Sequence, residues 1–324
     1  MLEDRIRCIE LRNKVVNADE AASWIQDGMV IGLSGFTRAG EAKAVPLALV
    51  DAVKKGQRQL KIDVYTGASL GNHIDGLLAE TGIIRKRLPF QADPDMRKAI
   101  NTGNMAFVDV HLSKVSEMLR NGALPPIDYA IVEAIAIKED GSLIPTTSVG
   151  NNHLFVKYAK NVIVEINTKQ PLALEGMHDM YDPGEQGERQ AIPLTHVYDR
   201  IGTHAIPCDP KKIKGIVFSE YEDSPSTIAQ ADAETEQMAQ YLIKFLREEV
   251  HAGRMPKNLL PLQAGIGSVA NAVLHGFIDS EFRDLDVYSE VLQDAVFDLF
   301  DAGKLRFASG CSITLSPDCM RRVY

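Results

Sequence analysis

The sequence predicts a doubly wound α/β fold, in which helices cover both faces of a largely parallel sheet. Two segments repeat the same unit: an apolar strand at 29–33 precedes a small-residue loop at 34–40, and a strand at 60–65 precedes a Gly- and Ser-containing loop at 66–71. The third observation is the unbroken apolar run at 127–134, which is typical of a strand buried on both faces. Strand, glycine loop and helix in succession are the unit of such folds.

The other elements of the first part follow in chain order. Residues 3–27 are predicted to be helical, with a helix start at Asn17, because Asn is a favoured N-cap residue. The remaining predictions are a helix at 46–53, a hairpin-like turn at 139–145, a helix opening at 149–152, strands at 161–167 and 213–217, and an irregular stretch at 168–210.

A charged segment that contains Ser and Pro at 220–233 predicts a domain boundary, which divides the chain into residues 1–225 and 226–324. The second part begins with an amphipathic helix at 234–249. Its apolar residues at helical spacing are Met238, Tyr241, Leu242, Phe245 and Leu246. Further expectations are a strand-like segment at 259–263, a strand around 288–292, a short helix at 296–300 and a strand at 305–309. About 90 residues are few for an independent domain of this kind.

Composition excludes several classes of function. The net charge of −9 argues against a nucleic-acid surface, since phosphate binding requires clustered Lys and Arg. The four cysteines lack CxxC spacing and the histidines form no HExxH pattern, so we expect reduced thiols and no metal site. No segment approaches the ~18 apolar residues of a membrane span. The N-terminus does not resemble a signal peptide, and we therefore expect a cytoplasmic protein with no membrane partner.

A glycine turn, Gly265-Ile266-Gly267, opens a predicted helix and is the first candidate site. Helix N-termini present free N–H groups that favour anions and oxyanions. Ala270 occupies the third position of a GxGxxG pattern, so a dinucleotide site is not favoured. The turn alone is equally compatible with a tight strand–helix connection that binds nothing. The loops at 34–36 and 66–69 could also donate to phosphates or carboxylates, although neither is a P-loop.

Glu290 is the second candidate, because its neighbours at 287–288 and 291–292 have the character of buried strand. A carboxylate in such a position costs free energy unless it is paired or used, which makes it a candidate nucleophile. A partly exposed, hydrogen-bonded glutamate is the plainer interpretation. Glu133 and Glu165 also lie within apolar strands, so the pattern is not unique to Glu290.

Taken together, several motifs resemble the acetyl-CoA hydrolase/transferase family. They are Ser34-Gly35-Phe36-Thr37, Tyr65-Thr66-Gly67-Ala68-Ser69, Val132-Glu133-Ala134, Ser148-Val149-Gly150-Asn151, Leu260-Pro261-Leu262-Gln263-Ala264-Gly265-Ile266-Gly267, Val269-Ala270-Asn271-Ala272-Val273 and Tyr288-Ser289-Glu290-Val291-Leu292-Gln293-Asp294. The resemblance extends over essentially the whole chain, and within the family it is strongest to the class I succinyl-CoA:acetate CoA-transferases.

The resemblance implies two CoA-transferase-type α/β domains, the second incomplete in this chain because family members continue past Tyr324. It implies an active site between the domains, a homodimer, and no prosthetic group, with coenzyme A and acyl-CoA as substrates. Glu290 would form the glutamyl-CoA thioester. The residues matching the coenzyme A contact loop are Gly265, Ile266, Gly267, Ser268 and Val269.

The expected function is therefore a CoA-transferase that moves coenzyme A between an acyl-CoA, succinyl-CoA by resemblance, and a small carboxylate such as acetate. Net acyl-CoA hydrolysis through the same glutamate is the nearest alternative, since water could resolve the thioester. A non-catalytic CoA-binding module is a further alternative of a different class. The sequence discriminates poorly between transferase and hydrolase, because they differ in how well water is excluded.

Overall fold

The computed structural model describes residues 2–185, 187–225 and 232–323. The chain forms two compact units, one from Met1–Ile192 with Ile201–Ser224 and the other from Pro193–Arg200 with Pro225–Tyr324. Each unit has its own apolar core. The predicted boundary at 220–233 lies partly outside the described residues. Within the described parts of the chain, no helix is both long and apolar enough to cross a bilayer.

The first unit is built on an eight-stranded sheet, which confirms the predicted α/β class. Its strands are β1 (Val30–Leu33), β2 (Ile62–Tyr65), β3 (Ile84–Leu88), β4 (Ala106–Phe107), β5 (Ile127–Ile137), β6 (Leu143–Pro145), β7 (Ala159–Asn167) and β8 (Ile213–Ser219). Its helices are α1 (Leu2–Arg5), α2 (Ala18–Ser23), α3 (Ala44–Lys54), α4 (Ile74–Thr81), α5 (Pro94–Asn101), α6 (Leu112–Arg120) and α7 (Asn152–Tyr158). The sequence analysis made no prediction for α4, β3, α5, β4 and α6.

The strands lie in the order β4-β3-β2-β1-β5-β7-β8, and all of these neighbours are parallel. The exception in the sheet is β6, which pairs antiparallel with β5 and confirms the predicted hairpin-like turn. Strand order reverses between β1 and β5, where Leu33 pairs with Ile131. In open α/β sheets the crevice at the carboxyl ends of such strands is the usual ligand position.

Successive residues of β1 enter opposite faces of the sheet, as the period of a strand requires. Val30 packs in the core that contains Leu154 and Phe155 of α7, whereas Ile31 packs in the core that contains Leu49 of α3. Both faces are therefore covered, which explains why β5 is apolar along almost its whole length.

The prediction of a helix across residues 3–27 was wrong. Only α1, a 3₁₀ turn at Ile9–Lys14 and α2 are helical there. Between them, Ile6 pairs with Ile137 and Val15 with Ile216, so the chain adds short bridges to the sheet. The predicted start at Asn17 was correct: its side-chain oxygen accepts the N–H of Glu20 at 2.8 Å.

The irregular stretch at 168–210 is confirmed for its described residues, 168–185 and 187–210. It contains a 3₁₀ turn at Leu172–Leu174 and isolated bridges, among them Leu143 with Ile206 and Met180 with Thr203. The first bridge joins the stretch to β6, and the second joins two parts of the stretch to each other; neither extends into a regular strand.

The second unit contains helices α8 (Ala233–His251), α9 (Ser268–Gly276), α10 (Asp294–Asp301) and α11 (Pro317–Val323), and strands β9 (Leu285–Tyr288), β10 (Val291–Leu292), β11 (Leu305–Ser309) and β12 (Ser312–Ile313). Strand β9 pairs parallel with β11, and β10 pairs parallel with β12. The predicted strand at 288–292 is thus divided by a bend at Glu290. The strand-like segment at 259–263 is reduced to one bridge between Leu262 and Val287.

Helix α8 forms as predicted, with a capping box between Asp232 and Thr235, but its predicted buried face was wrong. Four of the five predicted residues are exposed, namely Met238, Tyr241, Leu242 and Phe245. The buried residues are instead Ala239 and Ile243, which are the nearest neighbours of Gly276 on α9. Helix α8 therefore packs against α9 through Ala239 and Ile243.

Candidate active site

The segment that precedes helix α9 forms an exposed turn. Gly267 caps the helix with φ 131° and ψ 174°, a backbone region that is essentially restricted to glycine. Gly265, Ile266 and Gly267 are all exposed, and a Cβ at either glycine would meet no atom within 4 Å. The turn is therefore open to a ligand that approaches its backbone closely.

Helix α9 presents unused donors at this end. The backbone N–H groups of residues 265–270 donate to no acceptor among the described residues, and the first helical bond reaches Gly267 from Asn271 at 3.1 Å. Free N–H groups and the helix dipole together stabilise negative charge. The predicted coenzyme contacts Gly265, Ile266, Gly267, Ser268 and Val269 all belong to this helix start, and their role stays a prediction.

Glu290 lies at the bend between β9 and β10 and is exposed, in contrast to the buried position that its neighbours suggested. Its side chain makes no hydrogen bond or ion pair within the described part of the chain. Its carbonyl accepts the N–H of Cys311 at 2.9 Å, which fixes the backbone of the bend. The carboxylate is thus held on an ordered backbone with its oxygens free.

Two contacts join the bend to the glycine turn. The Ser289 hydroxyl donates to the carbonyl oxygen of Ala264 at 2.8 Å. Just before these residues in each segment, the N–H of Tyr288 donates to the carbonyl oxygen of Leu262 at 2.9 Å. The residues that directly precede Gly265 and Glu290 are therefore fixed to each other, and the second unit brings together the two features that the sequence singled out.

Cys311 is a cysteine that lies beside this site, with its backbone N–H bonded to the carbonyl oxygen of Glu290. Cys311 is exposed at the surface, but the protein atoms that partly desolvate its thiol raise the pKa of that thiol, and the negative charge of Glu290 raises the pKa further. The thiol therefore stays protonated at neutral pH. Because the thiolate is the reactive form of cysteine, the protonated Cys311 thiol is a poor nucleophile.

A second polar cluster, not foreseen from the sequence, lies at the carboxyl edge of the sheet in the first unit. Lys43 is fully buried, and its Nζ lies 2.8 Å from Glu133 Oε2, 2.9 Å from Asp223 Oδ1 and 3.9 Å from Glu41 Oε1. We call Lys43, Glu41, Glu133 and Asp223 the Lys43 cluster. One cation facing three carboxylates leaves excess negative charge among buried side chains.

Two glutamates of the Lys43 cluster bind protons more tightly than free glutamates do, which reduces this excess negative charge. Burial raises the pKa of Glu133 to about 8 and that of Glu41 to about 7, although Lys43 opposes both shifts. Burial alone would lower the pKa of Lys43, but Asp223, Glu133 and Glu41 together raise it well above its ordinary value. Lys43 therefore remains charged while Glu41 and Glu133 titrate near neutral pH.

Two of the predicted donors in the first unit, the hydroxyls of Ser34 and Thr66, are already occupied. The Ser34 hydroxyl donates to Gly40 O and accepts from the N–H groups of Ala42 and Glu133 at 2.9–3.0 Å. The Thr66 hydroxyl donates to Ala68 O at 2.6 Å. Both side chains are fully buried, so they shape the loops after β1 and β2 and cannot donate to a phosphate.

Comparison with known proteins identifies the family. The model of the acetyl-CoA hydrolase/transferase N-terminal domain matches residues 2–218, which include every strand of the large sheet except the last residue of β8. The chain belongs to the acetyl-CoA hydrolase/transferase family.

Two relatives of this family member are named for different activities. The chain is 44% identical over 318 residues to a succinyl-CoA:acetate CoA-transferase of Clostridium kluyveri, covering 98% of this chain and 59% of that protein. It is 40% identical over 325 residues to an acetyl-CoA hydrolase of Kluyveromyces lactis, covering 98% and 62%. The chain thus spans less than two thirds of the length of these relatives.

The fold agrees with that of a solved member of the wider CoA-transferase group. The structure of 4-hydroxybutyrate CoA-transferase from Porphyromonas gingivalis superposes with a TM-score of 0.58 at 16% identity, covering 96% of this chain and 65% of that one. At this identity the likeness shows a shared fold alone.

Sequence reasoning missed Lys43 and Asp223 in this family member. Lys43 stands between two alanines in an otherwise unremarkable segment, and Asp223 falls in the stretch that was interpreted as a linker. The available signal was Glu133 and Glu165, since carboxylates inside apolar strands need partners. Glu165 finds its partner in helix α3, where it accepts the N–H groups of Lys43 and Ala44 at 2.8 Å.

Proposed function

We propose that this protein is a CoA-transferase that uses Glu290 to move coenzyme A between an acyl-CoA and a small carboxylate. The observation that carries the proposal is the pairing of an unpartnered carboxylate with a helix start whose N–H groups are free, fixed together by the Ser289–Ala264 hydrogen bond. The succinyl-CoA:acetate CoA-transferase relative supports succinyl-CoA as donor and acetate as acceptor.

The first half-reaction consists of two substitutions. A carboxylate oxygen of Glu290 attacks the thioester carbonyl, the C–S bond breaks, and an acyl-glutamyl anhydride and CoA thiolate result. The thiolate then attacks the glutamyl carbonyl carbon, which forms glutamyl-CoA and releases the first acid as its carboxylate. No proton is transferred in either step, so the site needs no general base.

The second half-reaction runs the same steps in reverse. The acceptor carboxylate attacks the glutamyl-CoA thioester, and the released thiolate then attacks the acyl carbonyl to give the new acyl-CoA and free Glu290. Each addition develops an oxyanion, and the N–H groups at Gly267–Val269 are the donors that we assign to it. One such donor contributes about 3–4 kcal/mol of transition-state stabilisation.

An exchange assay tests this proposal. Succinyl-CoA and labelled acetate should give labelled acetyl-CoA with the wild-type protein and none with Glu290→Gln. Glu281→Gln is the matched control, because Glu281 lies in the same unit but pairs with Arg247 at the surface, and it should exchange normally. Equal exchange by Glu290→Gln and the wild type would refute the assignment.

Acyl-CoA hydrolysis is the second candidate function, favoured by the similarity to the Kluyveromyces lactis hydrolase and by the exposed position of Glu290. Water that resolves the glutamyl thioester would release free coenzyme A without an acceptor acid. Measuring thiol release with and without acetate separates the two activities. Transfer predicts thiol release that is slow and suppressed by acetate, whereas hydrolysis predicts release that acetate does not suppress.

The oligomeric state, the cellular compartment and the cofactor content are also proposals. We infer a cytoplasmic homodimer that uses coenzyme A as a substrate and holds no prosthetic group, in line with the family resemblance of the sequence motifs. Light scattering of the purified protein tests the dimer directly, and a mass of one chain would reject it.

A further inference from the structure

Glu290 lies at an interruption of strand pairing that both partner strands share. Strand β9 pairs with β11 as far as Tyr288 and Ser309, and β10 pairs with β12 from Val291 and Ser312 onward. The residues of each of these two pairs are 21 positions apart, so the register is the same on both sides of the interruption. The two short ladders are therefore one parallel pairing, broken for two residues on each strand.

The residues at the interruption remain attached to each other through their backbones. The register places Ser289 opposite Gly310 and Glu290 opposite Cys311. The N–H of Ser289 donates to the carbonyl oxygen of Ser309 at 2.9 Å. The N–H of Cys311 donates to the carbonyl oxygen of Glu290 at 2.9 Å. The segment that follows β11 thus holds the backbone on both sides of the Ser289–Glu290 peptide, and it belongs to the same unit.

Gly310 has no room for a side chain in this arrangement. A Cβ there would meet Cγ of Leu292 at 2.9 Å, the carbonyl oxygen of Ser289 at 3.1 Å and Cδ2 of Leu292 at 3.2 Å. Contacts below 3.0 Å essentially never occur for a real Cβ, so one of these groups would have to move. Leu292 is buried, and its Cγ is not the mobile end of a long side chain.

Space, and not backbone conformation, is what requires glycine at position 310. Its φ angle lies outside the left-handed region, in contrast to that of Gly267. Alanine could therefore adopt the backbone angles of Gly310 without strain. The only cost of a methyl group would be its contact with Ser289 and Leu292.

The two residues that leave no space at Gly310 flank Glu290 in the chain. Ser289 directly precedes Glu290, and Leu292 follows it in β10. We propose that Gly310 is a positioning residue for Glu290, because the absence of a side chain lets the segment after β11 approach closely enough to hold the Glu290 backbone in its reactive position. This role rests on the proposed function, since it concerns a reaction through Glu290.

Gly310→Ala tests the positioning role directly. The added methyl group pushes against Ser289 and Leu292 and so displaces the backbone of Glu290. The kcat for exchange between succinyl-CoA and labelled acetate should fall about 10- to 100-fold, because a misplacement on the order of 1 Å has an effect of this size. Calorimetric titration with coenzyme A should give the wild-type affinity, since the start of helix α9 is unaltered.

Gly303→Ala is the matched control, because Gly303 precedes β11 and Gly310 follows it. Gly303 has a φ of 65° and open space around it, so alanine strains the backbone at the other end of the strand. Both variants should lower the thermal midpoint by about 2–4 °C. Only Gly310→Ala should lose kcat, which separates positioning from a general loss of stability.

A second substitution tests the contact itself. Leu292→Ala removes both of the Leu292 atoms that a Cβ at position 310 would meet. The double variant of Gly310→Ala with Leu292→Ala should therefore exchange acyl groups faster than Gly310→Ala alone. Two independent losses would instead add, and the double variant would then be the slower one.

Three results would overturn the positioning role: wild-type kcat in Gly310→Ala, an equal loss of kcat in Gly310→Ala and Gly303→Ala, or a double variant slower than Gly310→Ala. Amide hydrogen exchange supplies a readout that needs no activity. The N–H groups of Ser289 and Cys311 should exchange faster in Gly310→Ala and at the wild-type rate in Gly303→Ala. Absent acyl exchange by the wild-type chain counts against the proposed function, whereas unchanged amide exchange in Gly310→Ala counts against the positioning role.

Discussion

The hydroxyl of Ser289 donates a hydrogen bond to the carbonyl oxygen of Ala264 at 2.8 Å. Each of these residues directly precedes a feature of the candidate site, Glu290 in one case and the Gly265–Gly267 turn in the other. The bond therefore fixes the backbone beside Glu290 relative to the free N–H groups at the start of helix α9. Rigid placement of this kind is what a reaction through a covalent intermediate requires.

Ser289→Ala should lower kcat about 3- to 10-fold with little change in KM for acyl-CoA, because one net hydrogen bond contributes about 0.5–1.5 kcal/mol. Steady-state exchange kinetics measure the effect. Ser280→Ala is the control: Ser280 makes a similar bond to Phe277 O at 2.9 Å at the far end of α9, so its loss should reduce stability but not kcat. Equal kcat values for the two variants would contradict a positioning role for Ser289.

Gly267→Ala should disturb the turn more than Gly265→Ala. Gly267 has φ 131°, so a Cβ imposes backbone strain of about 1–3 kcal/mol although open space surrounds it. Gly265 has no positive φ and equal space, so alanine should be tolerated there. Hydrogen exchange of residues 264–276 should accelerate in Gly267→Ala alone, and similar exchange in both variants would argue against the described turn.

Lys43→Met should destabilise the protein by about 3–5 kcal/mol, because it leaves Glu133, Asp223 and Glu41 buried without their cation. Urea unfolding measures the change. Lys54→Met is the matched control, since the Lys54–Glu80 pair is about half exposed and should contribute no more than about 1 kcal/mol. Similar losses in the two variants would show that the cluster is not the buried network described.

The Lys43 cluster should also make stability depend on pH. Burial raises the pKa of Glu133 from 4.5 to about 8, so the folded chain holds a proton that the unfolded chain releases. The stability linked to this proton is fully present below pH 4.5 and is lost as pH rises through about 8.

Glu133→Gln removes this titration because glutamine mimics the protonated form. Its free energy of unfolding should therefore fall less than that of the wild type between pH 5 and pH 8 in urea titrations, with a difference on the order of 1 kcal/mol per pH unit. A difference between the two proteins that is constant across this range would contradict a titrating Glu133.

Local patterns in the sequence predicted the α/β class and the contents of the second-unit site. Strands β5 and β7 are recognisable because both faces of the sheet are covered, which leaves nearly continuous apolar runs. Gly267 and Glu290 lie in short motifs, and the chemistry of such motifs can be inferred without knowing which distant residues pack against them. The same reasoning overstated the burial of Glu290, because a bend between two strands has no sequence signature of its own.

Features that depend on distant contacts could not be predicted. Lys43 and Asp223 meet across 180 residues, and Asp223 lies in a polar stretch that has the composition of a linker. The face of α8 that packs on α9 was likewise not predicted: Ala239 and Ile243 lie against Gly276, whereas most of the larger apolar residues at helical spacing are exposed. In each case the deciding partner lies on another element.

Trapping of the covalent intermediate tests the central claim most directly. The wild-type chain is incubated with succinyl-CoA, reduced with borohydride and digested, and the modified residue is located by mass spectrometry. The account predicts reduction of the side chain of Glu290 to an alcohol, with no modification in Glu290→Gln. Modification at another residue, or none in a wild-type chain that exchanges acyl groups, would contradict it.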